Sequence, residues 1–210
     1  MRVAIFASGN GSNFAHLVEH FRGHAKVDIV LLICDRAGAY VLERAEALQI
    51  PSICIRPKEF ANKSEYELAI IQQLEAYAVD WIVLAGYMRL VGPTLLHRYS
   101  HRIINLHPAL LPAFPGKDAI EQAYSYGVKV TGVTVHYVDE GMDTGPIILQ
   151  EAVPIVEGES LEALSEKIHE VEHRLLPKAV ELLATSEVQC QGRRVHLNSS
   201  KTIEGEKSSR

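Results

Sequence analysis

The stretch from Arg2 to Phe21 limits the fold more than any other. Arg2-Val3-Ala4-Ile5-Phe6-Ala7 is an almost unbroken apolar run. Ser8-Gly9-Asn10-Gly11-Ser12-Asn13 follows, and then Phe14, Leu17, Val18 and Phe21 recur at helical spacing. An apolar run without alternation fits a strand covered on both faces. A chain that alternates such strands with helices builds a parallel sheet with right-handed crossovers. The alternation continues here. Strands are expected at Val27–Cys34, Ser52–Ile55, Trp81–Ala85 and Arg102–Leu106. Helices are expected at Asn13–Phe21, Ala39–Leu48 and Ser64–Tyr77, with a short one near Pro93–Tyr99. Pro51 stops the second helix, on which Glu43, Arg44 and Glu46 face water, and Ser64 and Glu67 stand at capping-box spacing for the third.

After residue 107 the pattern changes. Pro108, Pro112, Pro115 and Gly116 mark a rigid, non-helical loop. A helix near Asp118–Tyr126 follows. Val130–Val138 then alternates, with Val133, Val135 and Tyr137 on one face and Thr134, His136 and Val138 on the other. Ile147–Val153 is a further strand with no helix before it, which suggests antiparallel additions to the sheet. Leu161–Leu183 reads as a long amphipathic helix bent at Pro177, and Val188–Cys190 with Arg194–Leu197 as a terminal hairpin. The fold class is therefore α/β: a Rossmann-like, mostly parallel sheet in the N-terminal half, antiparallel strands after residue 108, and a long C-terminal helix. Residues 1–197 are expected to form a single domain, and 198–210 a polar, mobile tail.

Composition narrows the partners. A chain of 210 residues, 47% hydrophobic, carries a full core. Its net charge of -5, without a Lys/Arg cluster, disfavours a nucleic-acid partner. No apolar run approaches the ~20 residues that cross a bilayer, and the N-terminus lacks a signal-peptide pattern, so no membrane partner is expected. Cys34, Cys54 and Cys190 form no metal or redox motif and read as buried, inert thiols of a cytoplasmic protein.

Three separated segments carry chemistry. The Gly9–Asn13 loop opens a helix, where free N–H groups and the helix dipole favour a phosphate. Ser12 and Asn13 add side-chain donors. The same residues also suit an ordinary turn capped by Ser or Asn. No Gly-Lys-Ser/Thr follows, which excludes a Walker A loop, and Phe14 stands where the dinucleotide fingerprint needs a small residue. Asp35 lies where a ribose-binding acid would sit, but it does not rescue that fingerprint alone.

Asn105 and His107 lie at the carboxyl end of a strand, where open α/β sheets bind ligands. Two residues apart, they point the same way, and an amide N–H with an imidazolium makes an oxyanion site. The alternative is a structural pair satisfying loop carbonyls. Asp143, in Asp139-Glu140-Gly141-Met142-Asp143-Thr144-Gly145, is either one more solvated acid or a proton acceptor held by a Gly-shaped loop. His169 and His173 stand four apart on a helix, but one pair is a weak metal signal, and the remaining histidines (His16, His20, His24, His97, His101 and His196) are scattered. No metal is expected. No Gly-x-Ser-x-Gly elbow is present, which argues against a serine nucleophile.

Together these motifs resemble the phosphoribosylglycinamide formyltransferase family from Val3 to about residue 185. Ser8–Asn13 resembles its phosphate loop, Asn105-Leu106-His107-Pro108-Ala109-Leu110-Leu111-Pro112 its signature, and Asp139–Gly145 its acid loop. The resemblance implies Asn105, His107 and Asp143 as the catalytic trio, and Gly11, Ser12 and Asn13 around the substrate phosphate. It puts Glu172 near the substrate's amine end. It places a folate near Met88, Arg89, Leu90 and Val91, with Asn105 reaching it and Lys63 directed to its carboxylates. Some members carry His where this chain has Asp118. A cis bond at Leu111-Pro112 is also implied. The reaction implied is formyl transfer from 10-formyltetrahydrofolate to glycinamide ribonucleotide, with no covalent enzyme intermediate. The folate is a consumed co-substrate, no cofactor is tightly bound, and the enzyme is a monomer or homodimer.

Two relatives share the Asn-x-His-Pro signature. Methionyl-tRNA formyltransferase adds an RNA-binding domain, for which this chain has no room. Formyltetrahydrofolate hydrolase adds an N-terminal regulatory domain, whereas here a strand begins at residue 2. A non-enzymatic phosphosugar- or nucleotide-binding regulator on the same fold would not need a proton acceptor.

Overall fold

A computed structural model describes residues 1–199. The chain runs β1 (Arg2–Ala7), α1 (Ser12–His20), β2 (Asp28–Cys34), α2 (Tyr40–Ala47), β3 (Ser52–Cys54), α3 (Lys63–Ala76), β4 (Trp81–Leu84) and α4 (Pro93–Arg98). It continues through β5 (Ile103–His107), α5 (Ala119–Tyr126), β6 (Val130–Tyr137), β7 (Ile147–Pro154), α6 (Leu161–Thr185), β8 (Ser186–Gln191) and β9 (Arg194–Ser199). The strands form one sheet in the order β3-β2-β1-β4-β5-β6-β7-β9-β8. β1 to β5 pair in parallel. β6 runs antiparallel to both β5 and β7, so the expected change of topology falls just past residue 107.

The strand pattern dictates the layers. In β1, Val3, Ile5 and Ala7 face one core with Phe14, Leu17, Val41, Leu164 and Ile168. Ala4 and Phe6 face the other core, with Ile70, Leu74 and Leu95. Alternate residues thus bury against α1, α2 and α6 on one side and against α3 and α4 on the other. This double cover is why β1 carries no polar face.

Several expectations need correcting. The cap of α3 is Asn62, not Ser64: Asn62 Oδ1 accepts the Glu65 N–H at 2.9 Å, and its Nδ2 donates to Glu65 Oε1 at 3.0 Å. Glu67 is buried instead, accepting the N–H of Leu95 at 3.1 Å and that of Gly92. It therefore anchors the start of α4 rather than α3. Cys34 is buried, but Cys54 and Cys190 are exposed, because β3 is a short edge strand and β8 lies at the opposite edge of the sheet. The expected tail begins too early: β9 includes Asn198 and Ser199, paired with Glu187 and Ser186. The rest of that tail, 200–210, lies outside the described residues. α6 passes through Pro177 and ends at Thr185. The Leu111-Pro112 peptide is cis.

Candidate active site

A cleft of about 580 Å³ opens along the carboxyl ends of β1, β4 and β5. Strand order reverses between β1 and β4, which is where open α/β sheets bind ligands. The cleft is lined by Gly11, Ser12 and Asn13, by Met88 to Val91, by Asn105 and His107, and by Asp118, Asp143 and Glu172. Gly11 and Glu172, 161 positions apart in the chain, thus meet in one space.

The glycine loop forms the first wall. Gly11 has φ +77°, and a Cβ there would stand 2.2 Å from Val41 Cγ2, so the position requires glycine. Gly11 is also the N-cap of α1, with no side-chain cap. The first-turn N–H groups therefore lack the usual side-chain partner and are left for an anion. This disfavours the reading as an ordinary turn capped by Ser or Asn. Asn13 is placed differently from expectation: its Nδ2 donates to Glu172 Oε2 at 3.0 Å, while its Oδ1 is buried without a partner. Glu172 is buried and also bonds His169 Nδ1 at 2.9 Å. Burial lowers the His169 pKa, but the Glu172 hydrogen bond outweighs it and raises the value.

The second wall is the loop after β4. Ser8 Oγ accepts the Met88 N–H at 2.9 Å, and Tyr87 and Tyr66 hydroxyls meet at 2.6 Å. Arg89 Nε donates to Asp35 Oδ2 at 2.6 Å. The acid at the end of β2 is thereby committed to the protein. Lys63 is not in this cleft. It lines an adjoining depression of about 500 Å³ that shares Met88, Arg89 and Leu90 with it.

The cleft floor holds Asn105, His107 and Asp143. Asp143 Oδ2 accepts the Gly116 N–H at 2.7 Å and stands 3.5 Å from His107 Nδ1. Its Oδ1 accepts Asn105 Nδ2 at 3.2 Å. His107 Nε2 donates to the Phe114 carbonyl at 2.7 Å, which turns Nδ1 toward the carboxylate. Burial pushes the Asp143 pKa up, yet His136, the Gly116 N–H and His107 together hold it below the ordinary carboxylate value. The loop explains why Asp143 and not Asp139 faces inward. Asp139 Oδ1 accepts from Gly141 N and Thr144 Oγ1, closing the turn. A Cβ on Gly145 would come within 1.7 Å of Tyr137 O.

Sequence reasoning missed His136. It is buried, opposite Asn105 in the β5–β6 register, and its Nε2 lies 3.2 Å from Asn105 Nδ2. Its Nδ1 is 2.7 Å from the Tyr137 carbonyl. A carbonyl only accepts, so Nδ1 carries a proton. Nε2 faces both the Asn105 amide and, at 3.7 Å, Asp143 Oδ1. Without a proton it accepts from the amide, and with one it donates toward the carboxylate, the arrangement that lowers the Asp143 pKa. Alternation had put His136 on one face with Thr134 and Val138; only the antiparallel register brings it to Asn105.

Asp118 lines the cleft as the N-cap of α5, with φ 56°. Among the described residues, no group of three or more His, Cys, Asp or Glu is arranged to hold a metal ion. His173 stacks on His16 at 4.7 Å. Nor is any described helix long and apolar enough to cross a membrane.

The chain is similar to known proteins over most of its length. A formyl transferase family model matches residues 1–180. The chain belongs to the formyl transferase family. Within it, phosphoribosylglycinamide formyltransferase of Bacillus subtilis is 53% identical over 183 residues, 87% of this chain and 94% of that protein. The human trifunctional purine biosynthetic protein adenosine-3 is 41% identical over 191 residues, 90% of this chain but 19% of that longer protein. Among solved structures, glycinamide ribonucleotide transformylase 1 from Symbiobacterium toebii superposes with TM-score 0.91 at 42% identity, covering 95% of this chain and 94% of its own. Phosphoribosylglycinamide formyltransferase from Bacillus halodurans gives 0.84 at 55%, covering 87% and 95%. The span matched by the family model takes in the glycine loop, the Asn105–His107 strand and the Asp143 loop.

Proposed function

We propose that the chain transfers the formyl group of 10-formyltetrahydrofolate to the amine of glycinamide ribonucleotide, a step of purine biosynthesis. The ribonucleotide phosphate sits on the open N–H groups of Gly11, Ser12 and Asn13, where the α1 dipole favours negative charge. Glu172 binds at its amine end. The folate lies along Met88, Arg89, Leu90 and Val91, with its carboxylates toward Lys63.

The formyl carbon meets the amine over Asn105, His107 and Asp143. The amine nitrogen attacks it, and Asn105 and His107 donate to the oxyanion that forms. Collapse breaks the bond to the folate nitrogen, which gains a proton as the amine loses one. Asp143 manages that proton through water. A carboxylate held below its ordinary pKa is a modest base; standing 3.5 Å from His107 Nδ1, it also orients that ring toward the reacting group. In the unliganded site both Asn105 contacts, to Asp143 and His136, are internal; donation to substrate requires Asn105 to exchange one of them. The folate is consumed as a co-substrate rather than held as a resident cofactor, and the reaction belongs to the cytoplasm.

The convergence of an amide, an imidazole and a carboxylate on one face of the cleft carries this reading. A formyl-transfer assay of the purified chain tests it. Formylated ribonucleotide should form in proportion to folate consumed. Formate release without ribonucleotide formylation would contradict it.

A further inference from the structure

The phosphate-binding loop has no cationic side chain of its own, and the two Lys or Arg side chains that line the cleft stand elsewhere, Arg89 tied to Asp35 and Lys117 beyond β5. A cation does reach the loop from behind. Arg44, on α2, donates from Nε to the Asn10 carbonyl at 2.9 Å and from Nη2 to Asn10 Oδ1 at 3.1 Å. Its guanidinium lies 4.9 Å from the centroid of the Tyr40 ring, which restricts its orientation. The same helix presses on the loop at two more points: Val41 N donates to Gly9 O at 3.1 Å, and the Val41 side chain fills the space where Gly11 lacks a Cβ.

We propose that Arg44 is a positioning residue for recognition of the ribonucleotide phosphate, acting through the Asn10–Gly11 peptide. This inference rests on the proposed phosphate site. The guanidinium holds both acceptors of Asn10 with a planar fork, which a lysine ammonium cannot reproduce. Its hydrogen bond to the Asn10 carbonyl polarises that peptide unit. The N–H at the other end of the unit belongs to Gly11, so it becomes a stronger donor toward an anion. The buttress also fixes the turn that aims the next N–H groups, while its positive charge lies close behind them. Arg44 contributes affinity for the phosphate-bearing substrate without touching it, and it has no role at the reacting atoms.

Arg44→Lys and Arg44→Ala in the full chain test this. Charge-assisted hydrogen bonds contribute enough that losing the fork should raise KM for the ribonucleotide about tenfold. kcat at saturating ribonucleotide and KM for the folate should stay within about twofold. Inorganic phosphate, titrated calorimetrically into each protein, should bind the variants correspondingly more weakly than wild type. Arg44→Lys keeps the charge and the fold, so it decides the matter if the alanine variant is unstable. A lysine variant with wild-type KM and phosphate affinity would overturn the fork, as would an equal loss for the folate. The phosphate titration does not depend on turnover. If wild type binds phosphate but transfers no formyl group, the reaction assignment fails while the Arg44 inference is still decided.

Discussion

His107 Nδ1 stands 3.5 Å from Asp143 Oδ2 while its Nε2 donates to the Phe114 carbonyl at 2.7 Å. The ring is buried and anchored through Nε2, so the direction of Nδ1 is set before any substrate arrives. His107→Ala should lower kcat about 10²–10³-fold, the usual cost of one oxyanion donor. KM for either substrate should change far less. Steady-state kinetics of the variant check this, and a kcat above half of wild type would remove His107 from the site.

The turn that aims Asp143 depends on Gly145. An alanine there would put its Cβ 1.7 Å from Tyr137 O, beside the Tyr137 N–H to Pro146 O bond. The loop must then shift, and a displacement of about 1 Å at reacting groups can cost 10²-fold in rate. Gly145→Ala should therefore lose kcat roughly on that scale while the protein remains folded by circular dichroism. Wild-type kinetics would show that the turn does not govern the carboxylate.

Ser12 makes no capping bond to α1. Ser12→Ala should thus avoid the ~1 kcal/mol loss typical of a removed cap, yet weaken ribonucleotide binding and spare the folate. Calorimetry with each ligand separately, alongside thermal melting, distinguishes the two roles. Equal losses for both ligands would mean that the loop does not select the phosphate.

His169 titrates above its ordinary value of 6.5 because of its hydrogen bond to Glu172. A raised folded-state pKa means that this pair's stabilisation is fully present below 6.5 and fades as pH rises through the raised value. The His169 ring is half exposed, so solvent screens the effect. Proton NMR should show His169 titrating above 6.5, and Glu172→Gln should bring it down. An unchanged midpoint in the variant would break the assignment.

The sequence made the parallel half of the sheet legible because strands buried on both faces carry no polar alternation to confuse them. It did not make the caps legible. Asn62 with Glu65 and Ser64 with Glu67 have the same spacing, and only the burial of Glu67 against Gly92 and Leu95 separates them. Asp139 and Asp143 are likewise alike until Asp139 is seen closing the turn. Asn13 reads as a phosphate donor because nothing local reveals Glu172, its partner 159 residues away. His136 joins the site through strand register, which alternation alone does not fix. The residue types of the site were readable in the motifs; the partners that orient them were not.

The central claim is that Asp143 manages the proton released as the amine attacks. Single-turnover formyl transfer by Asp143→Asn, with both ligand affinities measured in parallel, tests it most directly. Asn is nearly isosteric and keeps an oxygen able to accept the Gly116 N–H, but it takes no proton at neutral pH. Transfer should fall about 10²–10⁴-fold while both ligands bind as before. Transfer at the wild-type rate would contradict the account and leave His107 to handle the proton alone.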